Sequence, residues 1–216
     1  MKVSTELADY LEHFNFNLYE LDECVILIES IAKYSSELNQ TSHSLYFGSI
    51  QSILYSHAIL NLSKLFDKPH PRHPTVSIRS IISILKSPNL HTQDNLQKCM
   101  LKIKEYGIAI PENDIQPIEL LITHFTHRVE EKTEILDRVR INRDKAIAHN
   151  EIIDFEQLYS ITWGELNDLK TLAEEFSKCV GYCFCGKSDS KPFTDLGSLR
   201  MSTNTLMETV LATKID

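Results

Sequence analysis

An all-α bundle of about five to seven helices is what this sequence predicts, and three observations carry that expectation. Glycine and proline number only 6 and 7 in 216 residues, few for a fold rich in tight turns. Apolar residues recur at steps of three and four over long stretches, which places them on one side of a helix. The breaks between these stretches hold helix-capping residues and prolines. A hydrophobic content of 42% and a charged content of 24% are ordinary for a globular protein. The length suffices for one real core, so residues 1–185 are expected to form a single helical domain and residues 186–216 a C-terminal tail.

The elements follow in order. A first helix is expected over residues 4–38, because Leu7, Leu11, Phe14, Leu18, Leu21, Val25, Ile28 and Ala32 alternate steps of four and three as a heptad seam. Such a seam serves an intramolecular bundle or a helix-mediated dimer. A second helix begins after Ser44 and ends near Phe66, with Ile50, Leu54, Ala58, Leu62 and Leu65 on one stripe and His57 and Asn61 beside it. Three prolines between Lys68 and Thr75 exclude helix there, and His70 and His73 read as loop residues before they read as metal ligands. Thr75 is expected to cap a short helix carrying Ile78, Ile81, Ile82 and Leu85, stopped by Ser87-Pro88. Thr92 starts another, with Leu96, Met100 and Ile103 inward and Gly107 as its C-terminal cap. Pro117 opens a long helix over residues 117–149. Asp154, with Gln157 three residues on, starts the next, which presents Phe155, Leu158, Thr162, Leu166, Leu169, Ala173, Phe176 and Val180 and closes at Gly181. The tail supports one short helix around Asn204–Thr213.

Several function classes drop out. No apolar run approaches a membrane span, and the start lacks a secretory hydrophobic region, so a cytoplasmic protein with no membrane partner is expected. Cys24, Cys99, Cys179, Cys183 and Cys185 are odd in number and match no common zinc spacing. Buried or semi-exposed thiols, no metal and no cofactor are the expectation. No phosphate-cradling glycine loop or nucleophile elbow is present.

One stretch runs against the charge of the whole. The formal net charge is -8, yet residues 138–150 hold Arg138, Arg140, Arg143 and Lys145 against one carboxylate, Asp144, with His149 following. A bound anion feels that local field. Ile118, Ile122, Phe125, Val129, Leu136 and Val139 form the apolar stripe leading into it, interrupted by Lys132. Carried forward, the stripe passes through Arg143, so its guanidinium lies on or beside the packing face, where an arginine needs partners. His149, six positions on, lies roughly 240° around an ideal helix. Either the helix ends before it, or two copies of the helix cross and bring the residues together.

RNA cleavage without metal needs proton transfer at the 2′- and 5′-oxygens and stabilisation of charge on phosphorus. Histidine can move the protons, and arginine suits the developing charge. Arg143-Asp144-Lys145-Ala146-Ile147-Ala148-His149 resembles the motif of the HEPN superfamily, and its wording looks most like the abortive-infection type U branch. Leu62-Ser63-Lys64-Leu65-Phe66-Asp67 resembles the same branch. The resemblance implies a helical, commonly dimeric, metal-independent ribonuclease. It gives Arg143 the phosphate, Asp144 the polar position after it and His149 the acid–base role, with Arg138, Arg140, Asn142 and Lys145 holding the strand. RNA, transfer or messenger, is the implied substrate; a second copy and an antitoxin or defence-system protein are the implied partners. HEPN toxins silenced by nucleotide transfer have a four-residue gap and a tyrosine two positions past the histidine. Here the gap is five and that position is Glu151, which sets a partner of that kind aside.

Three functions compete: an endoribonuclease in antiphage defence or a toxin–antitoxin pair, a non-catalytic dimer binding RNA, nucleotide or protein, and a helical adaptor. A purely structural account of the stretch is also open, with Arg143 paired to a carboxylate of the first helix and His149 capping the helix end.

Overall fold

The computed structural model describes residues 2–69, 72, 75–111, 115–144, 161–186 and 196–212. Among them the fold is entirely helical: α1 (Lys2–Lys33), α2 (Ser35–Leu38), α3 (Ser44–Phe66), α4 (Ile78–Leu85), α5 (Gln93–Glu105), α6 (Pro117–Glu131), α7 (Thr133–Asn142), α8 (Trp163–Phe184) and α9 (Leu196–Ala212), with one 3-10 turn at Pro88–Leu90. The nine described helices exceed the expected five to seven because two long ones break.

The first break falls at Tyr34, where φ is -106° and ψ 12°. Ser35 and Ser36 follow, weak helix formers that compete for backbone hydrogen bonds. Leu7, Leu11, Phe14, Leu18, Leu21 and Val25 of the predicted seam are buried, but Ile28 is half-buried and Ala32 exposed. The end of α1 is packed on a different side: Ile31, with Leu38 and Phe47, meets Met207 of α9 in a small second cluster. The tail helix is thus longer than expected and seated on α1, where Arg200 pairs with Glu29 at 2.7 Å and the Tyr34 hydroxyl donates to Glu208 at 2.9 Å.

The main core lies between α1, α3, α4, α5, α6 and α8. At its centre Phe176 takes the edges of Phe14, at 5.9 Å, and of Phe125, at 5.2 Å. All three are at most 2% exposed, and each contributes roughly 1.5–3 kcal/mol by burial. Cys99, Cys179 and Cys183 pack between α5 and α8, and all five cysteines are free thiols. The hydrogen bond with Cys183, and then burial, push the Cys179 thiol well above its usual pKa.

Caps fix most ends. Ser77, rather than the expected Thr75, caps α4 and accepts from the Ser80 amide at 3.3 Å; the Thr75 hydroxyl sits 3.2 Å from Ser80 Oγ instead. Thr92 caps α5 as expected. Gly107 closes it at φ 63°, which lets the Ile108 amide reach back to the Ile103 carbonyl at 3.0 Å. Cys99 takes a place in the core that Met100, half-buried, was expected to fill. Thr162 caps α8 in a reciprocal box with Glu165, so it is not an inward-facing helical residue; Asp154 and Gln157 lie outside the described residues. The helix runs past Gly181 to Phe184 and stops before Gly186, whose φ is 64°.

The second break splits the predicted 117–149 helix at Lys132. A lysine on the inward stripe cannot be buried unpaired. Here the backbone turns (φ -96°, ψ 11°), Thr133 donates its hydroxyl to the Glu130 carbonyl at 2.6 Å, and Lys132 reaches Asp168 of α8 at 3.0 Å. The apolar line survives the break: Ile118, Phe125, Val129, Leu136 and Val139 are all buried.

Candidate functional site

The end of α7 lies against the end of α3. In α3, Leu62, Leu65 and Phe66 enter the core. That fixes the helix about its axis and turns Ser63 and Asp67, one helical turn apart, toward α7. Asp67 is the residue where the chain leaves the helix (φ -58°, ψ 150°). A carboxylate at the negative end of a helix is unfavourable unless a cation offsets it.

Arg143 is that cation. Arg143 and Asp144 extend α7 in the wider π geometry, which occurs often at functional sites. Arg143 Nη1 donates to Asp67 Oδ1 and Oδ2, both at 2.8 Å, and to Ser63 Oγ at 2.5 Å. Its Nε donates to Asp144 Oδ1 at 2.7 Å. Nη2 makes no hydrogen bond to any described residue. The side chain is 23% exposed, so the group is shielded but reachable. Burial alone would lower its pKa; the hydrogen bond and charge of Asp144 and those of Asp67 outweigh this and raise it. Arg143 is therefore a fixed positive charge, held by α3 rather than by the first helix.

Arg138 is engaged differently. It donates through Nη1 to Glu165 Oε2 at 3.3 Å and through Nη2 to Oε1, tying α7 to the start of α8. Glu165 also accepts from the Thr162 amide at 2.8 Å. The Arg138 hydrogen bond, then that amide, hold the Glu165 carboxyl down at about 2. Arg140 pairs along its own helix with Asp137 at 2.8 Å and is about a third exposed. Asn142 is 7% exposed, buried in the packing of α7. Lys145 and His149 lie outside the described residues. The described chain resumes at Ile161, buried, with its carbonyl accepting from Tyr55 of α3 at 3.3 Å.

The structure thus brings Arg143 and Asp144 together with two residues to which the sequence assigned no role, Ser63 and Asp67. The signal for them was faint: a serine and an aspartate four apart at a helix end, just before a proline-rich loop. Beside them Lys64, exposed, donates to Asn61 Oδ1 at 3.0 Å, and Asn61 is fully buried with its Nδ2 unpartnered among the described residues. No cluster of three or more histidine, cysteine or acidic residues among the described residues is arranged to hold a metal. No described helix is long and apolar enough to cross a membrane.

The comparisons agree with the motif. No curated protein and no solved structure matches the chain. The family model described as AbiU2, of the HEPN group, matches residues 4–195, from α1 to the segment before α9. The chain belongs to the AbiU2 family of HEPN proteins.

Proposed function

We propose that the protein is a metal-independent endoribonuclease acting in antiphage defence or as a toxin component. The observation that carries this reading is the state of Arg143: charged, shielded and pinned on one side, with Nη2 hydrogen-bonded to none of the described residues and so placed to meet a phosphate. In the reaction the 2′-hydroxyl loses its proton, its oxygen attacks phosphorus, and the 5′-oxygen leaves with a proton. The products are a 2′,3′-cyclic phosphate and a 5′-hydroxyl end. Arg143 stabilises the charge that grows on the phosphoryl oxygens. Asp144 steadies Arg143, and His149 moves the proton. Arg140 and Lys145 hold the strand, while Asn142 stays buried in the packing of α7.

A homodimer is part of the proposal. From Ser44 to Ser63, α3 carries no aspartate, glutamate, lysine or arginine, and its outer side exposes Leu45 (85%), Tyr46 (65%) and Ile53 (68%). Exposed apolar patches of this kind suit a protein partner.

A non-catalytic module binding RNA, nucleotide or protein is the second reading. It is favoured by the two carboxylates around Arg143 and by the net charge of -8, since strong nonspecific RNA binders are usually basic. One experiment separates the two. Purified protein at a two-chain mass by sedimentation is incubated with total and transfer RNA in excess EDTA, beside His149→Ala. Fragments with cyclic phosphate ends from the wild type alone support the nuclease. Saturable binding without fragments supports the module, and equal cutting by both proteins removes His149 from the site.

A further inference from the structure

We infer that Asp67 and Ser63 are positioning residues that aim Arg143, trading affinity for orientation; this rests on the reading that Arg143 receives a phosphate. A guanidinium is planar and rigid. It is held here at two of its three nitrogens, by Asp144 at Nε and by Asp67 with Ser63 at Nη1. A plane fixed at two corners has its third corner fixed in direction, so Nη2 points one way only.

The carboxylate does not form the parallel fork common for arginine pairs, which engages two nitrogens. Both oxygens of Asp67 take the same nitrogen, at 2.8 Å each. A fork would have taken one of the two hydrogens of Nη2; this clasp, among the described residues, leaves both. The support is itself held, because Ser63 and Asp67 sit on a helix whose other side is locked in the core through Leu62, Leu65 and Phe66. A donor fixed before the reaction needs no reorganisation as charge develops.

The same arrangement sets a cost. Two carboxylates face one guanidinium, so these three side chains are together formally negative and present an incoming phosphate with no net positive field. Ground-state binding is weakened while the transition-state donor stays aligned. Removing the Asp67 charge should therefore move binding and turnover in opposite directions, which a merely structural tie would not do.

The test uses the full-length chain as wild type, Asp67→Asn, Asp67→Glu and Ser63→Ala, each checked by thermal melting. Cleavage gives kcat and KM separately, and an RNA made uncleavable by a 2′-deoxy substitution gives Kd and its salt slope. For Asp67→Asn, kcat is expected to fall ~10- to 100-fold, the scale on which slight misplacement acts. KM and Kd should fall a few-fold, and the salt slope should steepen by up to about 0.7 as one phosphate contact is strengthened. Asp67→Glu keeps the charge and should recover part of kcat. Ser63→Ala should show a smaller loss. In an Arg143→Ala background the Asp67→Asn effects should vanish. Unchanged kcat and Kd in Asp67→Asn overturn the inference, as does a loss that only tracks the folded fraction. If the wild type cuts no RNA, the nuclease reading fails and the uncleavable RNA decides: tighter binding with a steeper slope upholds the positioning role, and equal Kd and slope overturn it.

Discussion

Arg138 and Arg143 lie five positions apart toward the end of one helix, and each is held by an acid from another element. Their surroundings nonetheless assign them to different work. Arg138 spends both terminal nitrogens on the single carboxylate of Glu165, which also closes the cap of α8. It joins two helices, and both of its terminal nitrogens are engaged in that junction. Arg143 is clasped through one terminal nitrogen and braced at Nε, and its other terminal nitrogen has no hydrogen-bond partner among the described residues. Counting charges along the sequence makes the two arginines equivalent. Counting donors after folding separates them.

The largest expected effect comes from replacing each in turn. Arg143→Ala should lower RNA cleavage by ~10²-fold or more, the usual loss when a charge-stabilising donor is removed. Arg138→Ala should leave cleavage per folded molecule close to wild type and instead lower the urea midpoint without changing the m-value. Single-turnover rates and equilibrium unfolding on the same preparations measure both. If Arg138→Ala lost cleavage as severely as Arg143→Ala while staying folded, the comparison would fail, and the ion pair with Glu165 would have to open for RNA.

A smaller effect sharpens the comparison from a third position. Among the described residues Arg140 is bound only to Asp137, within its own helix, and it is the most exposed of the three arginines. Contacts of that kind are weak, about 0–1 kcal/mol, so Arg140 can turn to a phosphate at little cost. Arg140→Ala should weaken RNA binding a few-fold and flatten the salt slope by about 0.7, as expected for one single-strand phosphate contact. An unchanged slope would confine RNA contact to Arg143 and residues beyond it.

How far these distinctions were legible in the sequence follows from what periodicity can report. The stripe from Ile118 to Val139 was visible, and so was the tension of an arginine arriving on a packing face. Lys132 was visible as an interruption, but that it would break the helix depends on Asp168, thirty-six residues away, being there to receive it. The first seam held through Val25 and failed at Ala32, because the tail helix, whose own pattern is weak, approaches α1 from another side. The identity of Arg143's partner was not legible. Any of the 30 acidic residues carries the needed charge, and only the packing of Leu62, Leu65 and Phe66 turns Asp67 toward α7.

The smallest effect tests whether Arg138 is as fully committed as its geometry says. The folded carboxyl of Glu165 is held at about 2, below the roughly 4.3 of a glutamate in an unfolded chain. A depressed carboxyl binds fewer protons when folded than when unfolded, so its contribution to stability is complete above about pH 4.3 and disappears as pH falls through about 2. Arg138 stays charged throughout, so the carboxyl alone sets this window. The comparison is the urea midpoint of wild type against Glu165→Gln between pH 6 and pH 2.5, in which the titration of all other acids largely cancels. The gap between the two proteins should be constant from pH 6 to about 4.5 and then narrow with further acid. A gap that stayed constant to the lowest pH would mean that Glu165 is not held by a charged partner. Arg138 would then be free to leave α8, and the contrast with Arg143 would rest on the Asp67 clasp alone.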